Sequence, residues 1–442
     1  MAKILLSFLG TRNYLECNYY LNEKKVEGVK YIQEALVRFL CEEWTEEDKI
    51  VIFITEESRE KHWNTEDDVL KKDHSPKLKE ILESLNLDCE IKTVLIPVGR
   101  SEEELWEIFE KMFDSISKED EIILDITHAF RFIPFLMLIV LNYSIVIKKI
   151  SILGIYYGAF EAIGAYNEVK EMPVEKRNAP VFDLSPFIDL LNWTLITQNF
   201  LKFGELRDVN RFLKRRREKH NTFFMELKKE QNLFNQINAF TSLFKTNRGY
   251  EIIKEHDFKA LKTRIKRVER KDSQTRLLNH LLELIYLKLK NFENEDIENG
   301  YRAVDWCIEH GLVQQAYTLL QENMISEIFL KVYTEEKLRD HDLREKIVKN
   351  AFNDKIKYNY EEFYKEKKEY LSDEELNEIV RINKIIPEEY ILIFQDLRNY
   401  RNDINHAGLT KDPKKSRVLI KSIKELNERI KKVREKEFKK QI

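Results

Sequence analysis

The first 182 residues alternate short apolar segments with amphipathic ones, and this alternation restricts the fold more than any other feature of the chain. Apolar segments of strand length occur at Lys3–Leu9, Lys49–Ile54, Glu90–Ile96, Glu121–Ile126 and Lys149–Tyr157. Helical periodicity between them predicts helices over about Gly28–Trp44, Lys77–Leu85, Ser101–Ile116 and Phe132–Ile147. Continuously apolar strands that alternate with helices are typical of a parallel sheet covered on both faces.

Beyond Pro180 the pattern changes to helical periodicity alone. An apolar helix is expected over Pro186–Phe203, and Gly204 suits its end because glycine tolerates the left-handed conformation there. Breaks between later helices are expected near Asn247, Asn291, Gly311, Ser372 and Pro387. Only 11 Gly and 8 Pro among 442 residues also favour helix. The sequence thus predicts a Rossmann-like α/β domain with a parallel sheet of about five to six strands over residues 1–182, and an all-α region over residues 183–442.

Charge is distributed unevenly between these two parts. Residues 1–182 hold 23 Lys and Arg against 34 Asp and Glu, a net charge of −11, while the whole chain carries −3. The helical part therefore carries +8, and a positive surface there can meet a polyanion.

The cysteines and the apolar segments bear on the compartment. Cysteines occur singly, at Cys17, Cys41, Cys89 and Cys307, which indicates neither a disulfide framework nor a metal site. The N-terminus shows no signal-peptide pattern, and the longest apolar run, Phe132–Ile147, is short for a membrane span. We therefore expect a cytoplasmic protein without membrane contact.

Polar and small residues follow three predicted strands, at the edge where open parallel sheets bind ligands. The candidate ligand-binding residues are Gly10, Thr11, Arg12 and Asn13 after the first strand, Thr127, His128 and Arg131 after the fourth, and Tyr157 and Gly158 at the end of the fifth. Glycine lets backbone N–H groups approach a ligand, and Thr127 and His128 stand at an expected helix entrance, where anions bind. The combination suits a phosphate-bearing ligand, and the lack of Gly-x-Gly-x-x-Gly argues against a dinucleotide.

Simpler explanations exist for several of these residues. Gly10 can serve only as a turn, Asp125 can cap the following helix, and His128 can be a hydrogen-bonded structural histidine. Three polar strand ends on one edge nevertheless favour a binding site.

The C-terminal segment Asp396–Gly408 contains Arg401 and His406 with four residues between them. An imidazole can move the proton of a ribose 2′-hydroxyl, and a guanidinium can stabilise charge on the phosphate, so this pair can cleave RNA without a metal. With 25 Arg and 9 His in the chain, however, this spacing arises by chance about half a time. A second instance, Arg215 and His220, reads as a solvated charged helix face.

Helix geometry restricts how Arg401 and His406 can act together. Pro387 is expected to begin a helix that runs into the motif. On a continuous helix the two residues lie about 140° apart, whereas Asn402 and His406 share a face. Either the helix ends near Asp403, or the site is shared between two copies of the chain. A polar helix end with a capping histidine is the non-catalytic alternative.

The strand-end motifs, Gly10-Thr-Arg-Asn-Tyr14 and Asp125-Ile-Thr-His-Ala-Phe-Arg131, resemble those of CARF domains, the Rossmann-like sensors of CRISPR-associated defence proteins. The Arg401-to-His406 segment resembles the Arg-x4–6-His motif of HEPN ribonucleases. In this order the motifs are similar to those of Csx/Csm-type accessory endoribonucleases of type III CRISPR systems. The sequence departs from that pattern at Ala129, where the family often has glycine.

The resemblance implies that the candidate ligand-binding residues hold a cyclic oligoadenylate, with a ring of four adenylates favoured on family grounds. It also implies a homodimer in which two subunits bring Arg401, Asn402 and His406 into one cleft that cleaves single-stranded RNA without a metal or other cofactor. His406 would transfer the proton, Arg401 would stabilise the transition state, and Asn402 would orient the scissile group, leaving a 2′,3′-cyclic phosphate. A ring of four or six adenylates can share the two-fold symmetry of a dimer.

Two other interpretations stay open. The chain can be a non-catalytic nucleotide-sensing regulator whose helical part binds nucleic acid or a partner protein, with Arg211–His220 as the contact. The CARF part can also cleave its own activator, with Thr11, Asn13 and His128 as candidate residues.

Overall fold

The computed structural model describes residues 2–64, 76–128, 132–206, 209, 228–267 and 276–441. The described residues form two compact units, one up to Leu191 and the other from Asn192 onward. The predicted basic contact Arg211–His220, including Arg215, lies outside the described residues.

An eight-stranded sheet forms the centre of the first unit. Its strands are β1 (Lys3–Phe8), β2 (Cys17–Leu21), β3 (Lys24–Val29), β4 (Lys49–Ile54), β5 (Glu90–Leu95), β6 (Glu121–Asp125), β7 (Ser151–Gly158) and β8 (Asn178–Asp183). They are ordered β3-β2-β8-β7-β6-β1-β4-β5. The strands β7, β6, β1, β4 and β5 pair in parallel, and they are the five strands that the sequence predicted. The α/β class of the N-terminal part is thus confirmed.

Three strands were missed, so the predicted strand number was too low. β2 and β3 form an antiparallel hairpin, and β8 pairs in parallel with β2 and antiparallel with β7. β3 is mostly exposed and polar, as an edge strand can be, and so lacks the apolar run of a buried strand. The helix predicted from Gly28 begins instead at Ile32, because Gly28 belongs to this edge strand.

Helices cover both faces of the sheet. In chain order they are α1 (Ile32–Leu40), α2 (Glu56–Ser58), α3 (Leu78–Ser84), α4 (Glu102–Asp114), α5 (Ile133–Ile147), α6 (Tyr166–Lys170) and α7 (Ser185–Phe203). Leu5 of β1 faces a buried cluster with α1 and α3. Its neighbours Ile4 and Leu6 face a second cluster with α4 and α5. This alternation explains why Ile4, Leu5 and Leu6 of β1 are apolar in succession.

The described part of the second unit is helical. Its helices are α8 (Gln231–Lys245), α9 (Phe258–Arg267), α10 (Leu277–Leu289), α11 (Glu298–Glu309), α12 (Val313–Val332), α13 (Lys355–Tyr358), α14 (Tyr360–Lys367), α15 (Asp373–Ile385), α16 (Glu388–Asn405) and α17 (Ser416–Gln441). The predicted breaks fall between these helices, and Ser372 caps α15 through a capping box with Glu375. Over the residues described, no helix combines the length and apolarity needed to cross a membrane.

Candidate functional site

The carboxyl ends of β1, β6 and β7 lie side by side, because these strands are neighbours in the sheet. Two adjoining cavities lie at this edge. The first, the β1–β6 pocket, has a volume of about 500 Å³, and the second, the β6–β7 pocket, has a volume of about 420 Å³. Both cavities are lined by Arg12, Tyr14, Thr127 and His128, so the two cavities share a wall.

Eight of the nine candidate ligand-binding residues line one or both cavities. They are Gly10 and Thr11 in the β1–β6 pocket, Asn13, Tyr157 and Gly158 in the β6–β7 pocket, and Arg12, Thr127 and His128 in both. The ninth, Arg131, lies outside the described residues. Residues that are far apart in the chain thus come together at one sheet edge.

Hydrogen bonds join the three strand ends, and the one between Ser7 and Asp125 is fully buried. The hydroxyl of Ser7 donates to Oδ2 of Asp125 at 2.6 Å, and the N–H of Thr127 donates to Oδ1 of Asp125 at 2.9 Å. The N–H of Gly158 donates to the hydroxyl oxygen of Thr127 at 2.8 Å. Burial raises the pKa of Asp125, although the hydrogen bonds from Ser7 and Thr127 act in the opposite direction.

These contacts correct two expectations about the residues after β6. Asp125 holds neighbouring strand ends and does not cap the next helix, because α5 begins only at Ile133. For the same reason Thr127 and His128 do not lie at a helix N-terminus.

Close packing explains the two candidate glycines. A Cβ at Gly158 would lie 2.6 Å from Cδ1 of Ile32, so this strand end can approach α1 only without a side chain. A Cβ at Gly10 would lie 3.1 Å from the hydroxyl of Tyr14. The N–H of Gly10 donates to that hydroxyl at 2.8 Å, so Tyr14 occupies the donor that was expected to face a ligand.

Tyr14 lies at the centre of an aromatic cluster beside the cavities. Its ring centroid is 4.7 Å from that of His128, 4.8 Å from that of His62 and 4.8 Å from that of Tyr31. Burial lowers the pKa of His62 and of His128 to about 4, so both imidazoles are neutral at neutral pH. The Nε2 atoms of both histidines are buried and make no hydrogen bond to any described residue.

Charged groups are sparse in the described walls of the cavities. Arg12 and Lys30 line the β6–β7 pocket and supply positive charge. Glu161 lines the same pocket and accepts a hydrogen bond from the hydroxyl of Tyr157. Burial, together with Glu161, raises the pKa of Tyr157 to about 12. Among the described lining residues, cations therefore outnumber anions, and an anionic ligand fits this edge better than a cationic one.

The C-terminal motif lies on α16, which Pro387 precedes as the sequence predicted. The helix continues to Asn405, past the end near Asp403 that was one of the two alternatives. The N–H of His406 bonds to the carbonyl of Asn402 at 3.0 Å, so the helical repeat reaches His406. Arg401 and His406 therefore lie about 140° apart around the axis, and one chain does not present them on one face.

The three candidate catalytic residues differ in exposure. Asn402 and His406 are exposed, whereas Arg401 is half-buried. The Nε of Arg401 is buried and makes no hydrogen bond within the described chain. In this conformation the Nε of Arg401 therefore has neither a partner among the described residues nor access to solvent.

Asp403, which lies inside the motif, was not a candidate from the sequence. It is 6% exposed. Its Oδ1 accepts from the hydroxyl of Thr410 at 3.0 Å, and its Oδ2 accepts from the N–H of Lys414 at 3.0 Å. Asp403 thereby holds the loop that joins α16 to α17.

Residues 4–161, a little over a third of the chain, match the family model for the CARF domain of the CRISPR system endoribonuclease Csx1. These residues form a CARF domain. Among curated proteins, the CRISPR-associated protein MJ1674 of Methanocaldococcus jannaschii is 32% identical over 125 residues. The match covers 28% of this chain and only 18% of that protein. The chain therefore contains a CARF domain, as its strand-end motifs indicated.

A solved structure, Enterococcus italicus Csm6 bound to cyclic hexa-2′-fluoro-hexa-dAMP, aligns over 98% of this chain and 93% of that chain. The sequence identity is 13% and the TM-score is 0.43.

Several residues that line or support the cavities were not candidates from the sequence, among them Tyr14, Lys30 and His62. Tyr14 belongs to the motif after β1, so the motif itself could have identified it. His62 lies in a short helical segment, Arg59–Trp63, after β4, and no local pattern marks it. Only the packing of β1 against β4 brings His62 to Tyr14.

Proposed function

We propose that the chain is a metal-independent endonuclease of single-stranded RNA that a cyclic oligoadenylate activates in type III CRISPR defence. The observation that carries the proposal is the convergence of eight strand-end residues on two adjoining cavities of a CARF domain. The Csx1 family, whose CARF model matches, is described as an endoribonuclease. The chemistry of Arg401 and His406 supports the same reaction.

The CARF cavities suit a ring that carries both phosphates and bases. Arg12 and Lys30 supply positive charge for phosphates. Phe8, Phe53 and Ile96 give the β1–β6 pocket apolar walls that an adenine can contact. We assign Thr11, Asn13 and His128 to polar contacts with the ring, and a ring of four adenylates remains our preference.

In the proposed reaction, His406 transfers the proton of a 2′-hydroxyl as that oxygen attacks the neighbouring phosphate. Arg401 stabilises the charge that develops on the phosphate, and Asn402 orients the scissile group. The leaving 5′-oxygen takes a proton, and the product carries a 2′,3′-cyclic phosphate. Because Arg401 and His406 diverge on α16, we assign the complete site to two copies of the chain.

An apolar face of the CARF domain supports a homodimer. Phe135, Ile139, Tyr143 and Val146 are exposed along α5, and Val146 is 74% exposed. Helix α5 contains no charged residue. Residues 1–182 carry a net charge of −11. Two copies can therefore pack α5 against α5 without charge repulsion from this helix. We assign this face to a second copy of the chain.

The test is cleavage of single-stranded RNA in EDTA, with and without each cyclic oligoadenylate. We expect cleavage that one ring size stimulates and that His406→Ala or Arg401→Ala abolishes. Undiminished cleavage by either variant, or equal cleavage of DNA, would contradict the mechanism. RNA binding without turnover would favour the non-catalytic regulator. Loss of the ring during the assay would indicate that the CARF domain degrades its activator.

A further inference from the structure

A cavity of about 410 Å³ lies between the end of α16 and the loop that follows this helix. Its lining combines the carboxylates of Asp396, Asp403 and Asp412 with the amides of Asn399 and Asn402. The proposed reaction uses only Asn402 from this set. The cavity is large enough for a small planar group and borders the residues assigned to catalysis.

The three carboxylates already have partners that hold the walls in place. Asp403 uses both oxygens to fix the loop through Thr410 and Lys414. Asp396 accepts a hydrogen bond from Arg429 at 3.1 Å, and Asp412 pairs with the ammonium group of Lys414. Burial of Asp403 and these cross-links make the cavity a built feature of the helix end.

Two side chains in the cavity remain free for a ligand. The amides of Asn399 and Asn402 are exposed and form no hydrogen bond with any residue that the structure describes. They are three residues apart on α16, so they lie on one face of the helix. The ring of Tyr400 also lines the cavity and offers a surface for stacking.

Charge decides what this cavity can hold. Three carboxylates and one ammonium group give the described lining an excess of negative charge, which repels a phosphate. A nucleobase is neutral, stacks on an aromatic ring and presents hydrogen-bonding groups at its edge. Amino groups of adenine, cytosine or guanine can donate to the amide and carboxylate oxygens. Uracil lacks an amino group, so it presents a single N–H donor between two carbonyl acceptors to a lining rich in acceptor oxygens.

We propose that this cavity is the subsite for a nucleobase next to the scissile phosphate, and that it selects a base with an amino group over uracil. Asn399 and Asn402 read the base edge, and Tyr400 stacks on the base. The proposal rests on the proposed ribonuclease function and names the base that this function selects.

The experiment uses the full chain with its activating cyclic oligoadenylate and a set of short oligouridylates. Each RNA carries one A, C, G or U at a single central position. We expect cleavage next to A, C or G to exceed cleavage of the all-uridine RNA by about tenfold in kcat/KM, the scale of one well-made base contact. Asn399→Ala should remove most of this preference through KM and leave kcat nearly unchanged. Asn377→Ala, an exposed asparagine of α15, is the matched control and should keep the preference.

A binding measurement separates this subsite from the ribonuclease activity. His406→Ala protein is titrated with the same RNAs, and fluorescence anisotropy reports affinity without cleavage. Tighter binding of the A, C or G oligonucleotides that Asn399→Ala abolishes would support the subsite, even if no RNA were ever cleaved. Equal affinity and equal cleavage for all four RNAs would overturn the subsite while leaving the ribonuclease intact.

Discussion

The hydroxyl of Ser7 on β1 donates a 2.6 Å hydrogen bond to the carboxylate of Asp125 on β6, and both side chains are fully buried. The two residues are 118 positions apart in the chain. Their contact joins adjacent strands at the edge where the CARF cavities lie. Because Asp125 also accepts from the N–H of Thr127, one carboxylate sets the positions of both strand ends.

Substitution of Asp125 tests this arrangement. Asp125→Ala leaves the Ser7 hydroxyl and the Thr127 N–H without their acceptor, and we expect it to lower the free energy of unfolding by about 1–3 kcal/mol. Asp125→Asn keeps an acceptor for Thr127 and should cost less.

Burial raises the pKa of Asp125 in the folded state, so its contribution to stability is complete below the unfolded pKa and is lost as pH rises through the folded pKa. Urea denaturation across mildly acidic pH should show a weaker pH dependence for Asp125→Asn than for the wild type.

The histidine cluster predicts a loss of stability in acid. His62 and His128 have pKa values lowered from 6.5 to about 4, mainly by burial, so the unfolded chain binds their protons first as pH falls. Their contribution is complete above pH 6.5 and is lost as pH falls from 6.5 towards 4. His128→Gln should flatten this part of the curve of unfolding free energy against pH. An exposed control, His341→Gln, should leave the curve unchanged.

Gly158→Ala should destabilise the CARF domain by overpacking. The added methyl group would lie 2.6 Å from Cδ1 and 2.7 Å from Cγ1 of Ile32, a clash that we expect to cost about 1–3 kcal/mol of unfolding free energy. Gly249→Ala is the matched control, because its Cβ would lie 3.6 Å from Leu319, an ordinary contact. Ile32→Ala combined with Gly158→Ala should recover part of the loss. Additive losses in thermal unfolding would count against a direct clash.

The apolar face of α5 predicts an effect on assembly. Phe135→Glu or Val146→Glu places a charge on the face we assign to a second copy, and either should shift the chain to a monomer in sedimentation equilibrium. RNA cleavage should fall with the dimer, because the proposed catalytic cleft needs two chains. Leu284→Glu on α10 puts the same charge on another exposed apolar position and should leave the mass unchanged. A wild-type monomer at all concentrations would argue against the composite site.

Removing the charge of Arg12 tests how much electrostatic attraction contributes to the affinity for the activator. Arg12→Ala removes an exposed cation that lines both CARF cavities and should weaken binding of the cyclic oligoadenylate by about tenfold, or 1.4 kcal/mol. Isothermal titration calorimetry measures this affinity, and the difference from wild type should shrink at high salt. Arg100→Ala, an exposed arginine outside the lining, is the control. Equal loss in both variants would point to a general charge effect.

The pattern of the chain determined the five parallel strands, the helices over them and the change to an all-α second part. Local patterns suffice there because a strand buried on both faces is apolar at most positions, as β1 is at Ile4, Leu5, Leu6 and Phe8. The same argument fails for β3, whose exposed edge imposes no apolar run. Motif position also identified eight of the residues that line the CARF cavities, since parallel strands bring their carboxyl ends to one edge.

Tertiary structure alone decided which groups remain available at these sites. In the folded chain, His62 packs against Tyr14, and the N–H of Gly10 donates a hydrogen bond to the Tyr14 hydroxyl. Asp403 accepts a hydrogen bond from the loop after α16. A sequence pattern records periodicity along one segment. The His62 contact joins two distant segments, and the bonds of Gly10 and Asp403 lie in irregular loops that have no period. The sequence alone showed the spacing of Arg401 and His406. The length of α16, which only the structure shows, means that one copy does not place the two side chains on one face.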